Sequence, residues 1–255
     1  MSALIAISGK GGSGKTTRAA MIVRHLVDRT GRSVLAVDAD PNTCLGDALG
    51  LEPETTVGEI RDAAIDRTLQ AGPGMDRERA VEYAIQRAVV EAGGFDLLAM
   101  GHTEGPGCYC AVNHLLRKYL DQAGGDYGWV VLDNEAGMEH LSRRTTDAVD
   151  HLIVVAEPTV VGAKTAERIL GLAERLPITI RGKGVLWNKV TEGAALPPAA
   201  DDLPTIGRVP LDDRVQELSA RGGTVFELDP GNVAYRAVGN VLAGILGIEE
   251  AAQRT

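Results

Sequence analysis

Aromatic side chains are scarce in this chain: two Phe, two Trp and five Tyr make up 4% of its 255 residues. A core of this size must be filled mainly by Val, Leu, Ile and Ala, which suits buried parallel strands covered by helices. Basic residues are also in deficit, 26 Lys and Arg against 35 Asp and Glu, for a formal net charge of -9. No Lys/Arg cluster offsets that balance, so nucleic acid is not expected as a partner. Three cysteines do not make a disulfide framework. No apolar run approaches the ~18 residues of a membrane span, and no basic-then-apolar leader precedes the first strand. The expectation is a cytoplasmic protein with no membrane partner. Hydrophobic residues at 44% and charged residues at 24% complete a globular composition.

What the chain does have is alternation. Residues 3–7 form a short aliphatic run, and Ala19, Ile22, Val23, Leu26 and Val27 then recur at helical spacing before Gly31, a C-cap residue. Residues 33–37 form a second run, ending in Asp38-Ala39-Asp40. A polar helical stretch over 57–91, interrupted at Gly72-Pro73-Gly74, leads to a third run at 95–100. Further strands are expected at 129–132, 152–155 and 184–187, with helical patterns between them and a surface loop at 194–204. The pattern predicts an α/β fold: one domain over 1–255 with a mostly parallel twisted sheet and helices on both faces.

The first turn of that pattern carries chemistry. Gly9-Lys10-Gly11-Gly12-Ser13-Gly14-Lys15-Thr16 fits G-x-x-x-x-G-K-[ST], between a strand and an amphipathic helix, with Thr17 following. Glycines let backbone N–H groups converge on phosphates, and the helix N-terminus adds partial positive charge. Lys15 reaches the outer phosphates and the Thr16 hydroxyl ligates Mg²⁺. The implied ligand is ATP or ADP with Mg²⁺.

Lys10, two residues into the loop, narrows the class. The run resembles the deviant Walker A sequence of the MinD/ParA/nitrogenase-iron-protein group of ATPases. In that group the extra lysine reaches across a nucleotide-sandwich dimer, so the resemblance implies a homodimer with Lys10 acting in trans.

Ligands of such sheets bind beyond the carboxyl ends of the strands. A lone aspartate there is most often a turn former, but Asp133 follows an aliphatic run as a Walker B acid does and could hold Mg²⁺. Asp40-Pro41-Asn42 resembles switch I of the group, whose aspartate orients or deprotonates the attacking water. Glu135-Ala136-Gly137 resembles switch II. Asn188 resembles the asparagine that reads adenine, or is a strand-end turn residue, and Pro210 would flank the base. The catalytic set implied is Lys10, Lys15, Asp40 and Asp133.

A second feature is Gly105-Pro106-Gly107-Cys108-Tyr109-Cys110. Two thiols two apart can chelate a soft or borderline metal, but they make an incomplete site. A symmetric dimer would supply four sulfurs, Cys108 and Cys110 from each subunit; two idle cysteines are the alternative. Residues 104–110 and the run Asp133-Asn134-Glu135-Ala136-Gly137-Met138-Glu139-His140-Leu141-Ser142-Arg143-Arg144 both resemble the CooC family. These are ATPases that assist nickel insertion into the cluster of carbon monoxide dehydrogenase. The resemblance, over about 3–246, implies Ni²⁺ or Zn²⁺ at the paired cysteines and the catalytic subunit of that enzyme as partner. An accessory ATPase for acetyl-CoA synthase, or a partition or division-site ATPase without metal cargo, would share the phosphate loop. An iron-protein-like electron donor takes one cysteine from each of two separated places, unlike this close pair. His114, one helical turn after Cys110, could reach the same metal but is more simply a surface or packed residue. Cys44, His25, His140 and His151 carry no role the sequence can defend.

Overall fold

The computed structural model describes residues 2–69, 74–102, 110–123, 125–135 and 148–247. In β1 (Ala3–Gly9), Ile5 and Ile7 enter one core and Ala6 the other. β2 (Val34–Ala39) divides in the same way, with Leu35 and Val37 on one side and Val34 and Ala36 on the other. Strands whose two faces are both covered read as continuous aliphatic runs, because successive side chains point to opposite faces.

Between these strands lies α1 (Lys15–Thr30), closed by Gly31 in the left-handed region at φ 62. After β2 come α2 (Cys44–Leu49), α3 (Val57–Ile65), α4 (Arg77–Ala88), β3 (Val90–Glu91), β4 (Phe95–Ala99), α5 (Cys110–Ala123) and β5 (Trp129–Asn134). The remainder is β6 (Ala148–Ala156), α6 (Val160–Ala173), β7 (Thr179–Val190), β8 (Thr205–Pro210), α7 (Asp213–Ala220) and α8 (Val233–Leu246). The sheet has eight strands in the order β3-β4-β2-β5-β1-β6-β7-β8. Its pairs are parallel except β3 with β4. Buried residues of α3, α4, α5 and α6 share one core, and those of α1, α2, α7 and α8 the other.

Two local expectations need correction. The helical stretch does not run to residue 91: it stops at Ala88, and Val90 and Glu91 pair antiparallel with Leu97 and Asp96. Val89 and Val90 are β-branched and follow the last helical turn, so an edge strand suits them better. Residues 205–210, not expected as a strand, form β8 beside β7, with Thr205 accepting a hydrogen bond from the buried Trp187 indole at 2.9 Å. The loop before it holds a short 3-10 turn, Pro198–Ala200.

Candidate functional site

β1 sits between β5 and β6, and register sets what meets at its carboxyl end. Ile7 lies opposite Asp133, Gly9 opposite Val155, and Asp38 opposite Asp133 across the β2–β5 pair. The loop from Gly9 to Gly14 leaves this point and enters α1. A Cβ at Gly9 would run into the Val155 carbonyl, so only glycine allows β1 and β6 to approach so closely. Gly14 caps α1 at φ +91, and a Cβ there would strike the Asn188 amide. No side chain caps this helix and its first turn holds no acid. Its first N–H groups therefore remain for an anion.

Around that terminus the side chains divide by burial. Lys15 is buried, Thr16 and Thr17 are half-buried, and Lys10, Gly11 and Gly12 are exposed. Ser13 is buried, its N–H donating to the Lys10 carbonyl at 3.1 Å. Asp133 is 1% exposed, yet neither carboxylate oxygen has a hydrogen-bond partner of normal geometry. Burial pushes its pKa up to about 6, partly offset by the neighbouring Thr16 hydroxyl and Lys15 ammonium. Orphaned buried oxygens next to a threonine hydroxyl suit a hard divalent cation, so Asp133 and Thr16 fit Mg²⁺.

Asp38 lies inside β2 rather than beyond it. Its two oxygens accept from the Asp40 N–H at 3.1 Å and the Leu45 N–H at 2.7 Å, so it fastens the turn that carries Asp40. Burial, with a contribution from Asp133, pushes the Asp38 pKa up to about 7. Asp40 is half-buried and accepts from the Asn42 N–H and side-chain amide through Oδ1. Cys44 is exposed, and partial burial, followed by the surrounding acids, pushes its thiol pKa up, away from reactive thiolate.

Asn188 is fully buried at the carboxyl end of β7 and donates from Nδ2 to the Ser13 carbonyl at 2.7 Å, leaving Oδ1 without a partner. It lines a cleft of about 520 Å³ with Thr17, Lys189, Pro210 and α7. Thus Asn188 and Pro210 do come together with the phosphate loop. A second cavity, about 200 Å³, lies on the other side of the loop against Val155, Glu157 and Val161.

Sequence reasoning missed a latch between these two spaces. Lys189, in the left-handed region at φ 58, donates to the Gly12 carbonyl at 2.9 Å and to Glu157 at 2.7 Å. Its position directly after Asn188 was the available signal. Asn134 was also missed: its amide donates to the Ile7 carbonyl at 2.9 Å, holding β5 to β1 below the loop.

The thiol pair is only partly within view. Cys108 lies outside the described residues, as do Ala136, Gly137 and His140; Cys110 opens α5, and its side chain is not described. His114 is exposed on α5. Among the described residues no group of three or more His, Cys, Asp or Glu could hold a metal ion. Nor is any described helix long and apolar enough to cross a membrane.

Comparison with known proteins places this geometry. The CobQ/CobB/MinD/ParA nucleotide-binding domain matches residues 4–225. An uncharacterized ATP-binding protein of Methanocaldococcus jannaschii is 38% identical over 250 residues, 95% of this chain and 98% of the relative. The carbon monoxide dehydrogenase accessory protein CooC of Rhodospirillum rubrum is 34% identical over 241 residues, 89% of this chain and 90% of its own. In fold, the chain matches the septum site-determining protein MinD of Pyrococcus horikoshii OT3, complexed with Mg-ADP. The TM-score is 0.70 at 21% identity, with 99% of this chain and 100% of that chain covered. The chain therefore belongs to the CobQ/CobB/MinD/ParA family of nucleotide-binding proteins and is, within it, a relative of CooC.

Proposed function

We propose that this protein is a Mg²⁺-dependent ATPase, converting ATP to ADP and phosphate, that works in the cytoplasm as a metallochaperone for carbon monoxide dehydrogenase. The observation that carries the ATPase reading is Asp133: a buried carboxylate with two unpartnered oxygens, beside Thr16 and Lys15 at an uncapped helix N-terminus. Backbone N–H groups of residues 9–14 and the Lys15 ammonium hold the β- and γ-phosphates. Thr16 and Asp133 hold Mg²⁺, which supplies charge neutralisation at the phosphates. Asp40, steadied by Asp38, aligns a water for in-line attack on the γ-phosphorus and takes its proton. The phosphorus–oxygen bond to ADP breaks as the bond to water forms. Lys10, exposed at the loop, offsets γ-phosphate charge on the partner subunit of an ATP-dependent homodimer. Exposed Val160 and Val161 near the same rim support burial of this face by a second copy.

The cargo is Ni²⁺ or Zn²⁺, bound by Cys108 and Cys110 of both subunits and handed to the catalytic subunit of the nickel enzyme. This part rests on similarity to CooC and on four-thiolate chemistry. Metal content per dimer, with and without ATP, tests it for the parent and a Cys108→Ser/Cys110→Ser variant. The expected result is one ion per parent dimer and a large loss in the variant. Equal binding by both proteins puts the metal elsewhere, and a parent that hydrolyses ATP without binding metal favours the partition-type reading.

A further inference from the structure

Arg18, the fourth residue of α1, is 4% exposed. The one hydrogen bond of its side chain among the described residues runs from a terminal nitrogen to the Met21 sulfur at 2.8 Å, and its Nε has no partner. Sulfur is a weak acceptor, and a buried guanidinium without a strong one is expensive. No hydrogen bond joins it to the neighbouring Asp212, whose oxygens accept from the Val215 N–H and the Asn232 amide at 3.0 Å each. Burial accordingly pushes the Arg18 pKa down to about 10, with Asp212 only partly opposing the shift. Arg24, one and a half turns further along the same helix, shows what a structural arginine looks like here. It donates to the carbonyls of Val225 and Leu228 at 2.7 and 2.9 Å and lies over the Tyr235 ring.

Arg18 lines the 520 Å³ cleft that opens off the phosphate loop, together with Thr17, Asn188, Pro210 and Gln216. The cleft thus holds two buried side chains with unmet hydrogen bonds of opposite kind, the Asn188 oxygen and the Arg18 guanidinium. A nucleoside meets both demands. Its exocyclic amine suits the amide oxygen, and its ring nitrogens and sugar oxygens suit a donor-only group. We propose that Arg18 binds the nucleoside half of the nucleotide, donating to a ribose hydroxyl oxygen or a purine ring nitrogen. The assignment rests on the nucleotide reading above and adds a residue outside the phosphate-loop motif.

Calorimetric titration of the full chain with ADP and with inorganic tripolyphosphate, both with Mg²⁺, tests it in the parent, Arg18→Met and Arg18→Lys. Loss of one charge-assisted hydrogen bond predicts about ten- to hundredfold weaker ADP binding for Arg18→Met. Tripolyphosphate affinity should stay within about twofold, and the melting temperature should not fall. CDP, which keeps the sugar but lacks the purine, and 2′,3′-dideoxy-ADP, which lacks the sugar hydroxyls, separate the two acceptors. The penalty of Arg18→Met should vanish with one of them. The proposal is overturned by unchanged ADP affinity, by equal weakening of ADP and tripolyphosphate, or by a penalty that persists with both analogues. It is equally overturned if Arg18→Met and Arg18→Lys both unfold. A parent that binds neither ADP nor tripolyphosphate refutes the nucleotide reading itself, a result distinct from all of these.

Discussion

Asp133→Asn should make the nucleotide-free protein more stable while removing its response to Mg²⁺. Asp133 is almost fully buried and its oxygens have no partner, and its pKa is raised from 3.8 to about 6. Below pH 3.8 the carboxyl is neutral in both states and carries no penalty. Between 3.8 and about 6 the unfolded chain ionises first, so rising pH favours unfolding; above the folded value the full penalty applies. The difference corresponds to about 3 kcal/mol at pH 8. The asparagine amide keeps its own burial cost, so a net gain of about 1–2 kcal/mol is expected for Asp133→Asn, or about 2–8 °C in melting temperature. Thermal unfolding in EDTA at pH 8 and pH 5 reads this directly, and the gap between the two proteins should narrow at pH 5. Adding Mg-ADP should raise the melting temperature of the parent well above that of the variant. A variant less stable than the parent at pH 8 in EDTA, or one stabilised by Mg-ADP as strongly as the parent, would refute the reasoning.

Two other residues give separate tests. Lys189→Met removes the tie between Gly12 and Glu157; because that pair is half-exposed, melting should hardly move while Mg-ADP affinity falls about two- to tenfold. An unchanged dissociation constant would mean that the loop keeps its shape without the lysine. His25, stacked on Tyr235 at 3.7 Å, has its pKa pushed down to about 4, chiefly by burial. With the folded value below the unfolded 6.5, its stability contribution is present above pH 6.5 and is lost as pH falls toward 4. Urea titrations at pH 7 and pH 5 should find the advantage of the parent over His25→Gln reduced by about 2 kcal/mol at the lower pH; a constant difference would contradict a buried neutral histidine.

Much of this protein was legible in its residues. Aliphatic runs declare parallel strands because both faces of each are buried, and the phosphate loop declares itself because glycine spacing and a following lysine are local requirements. Gly31 as a helix stop and Asp133 as a strand-end acid follow from the same local rules. The limits appear where an element is defined by its neighbour. β8 is a strand because β7 pairs with it, and Val90 leaves the helical pattern because β4 accepts it. The site shows the same division. Lys10, Lys15, Thr16 and Asp133 could be named from motif and position. That Asp38 ties down the Asp40 turn, that Lys189 reaches Gly12, and that Arg18 is buried without a strong acceptor could not. The first is local in sequence but rests on the shape of the turn after β2. The others depend on groups that meet across 175 or more positions, as Asn188 and Ser13 or Lys189 and Gly12 do, or on burial that only packing creates. Sequence alone determined the class of chemistry, since backbone geometry and charge within a dozen residues suffice for a phosphate loop. Tertiary structure decided which buried groups are left with unmet hydrogen bonds, because desolvation is a property of the packed whole.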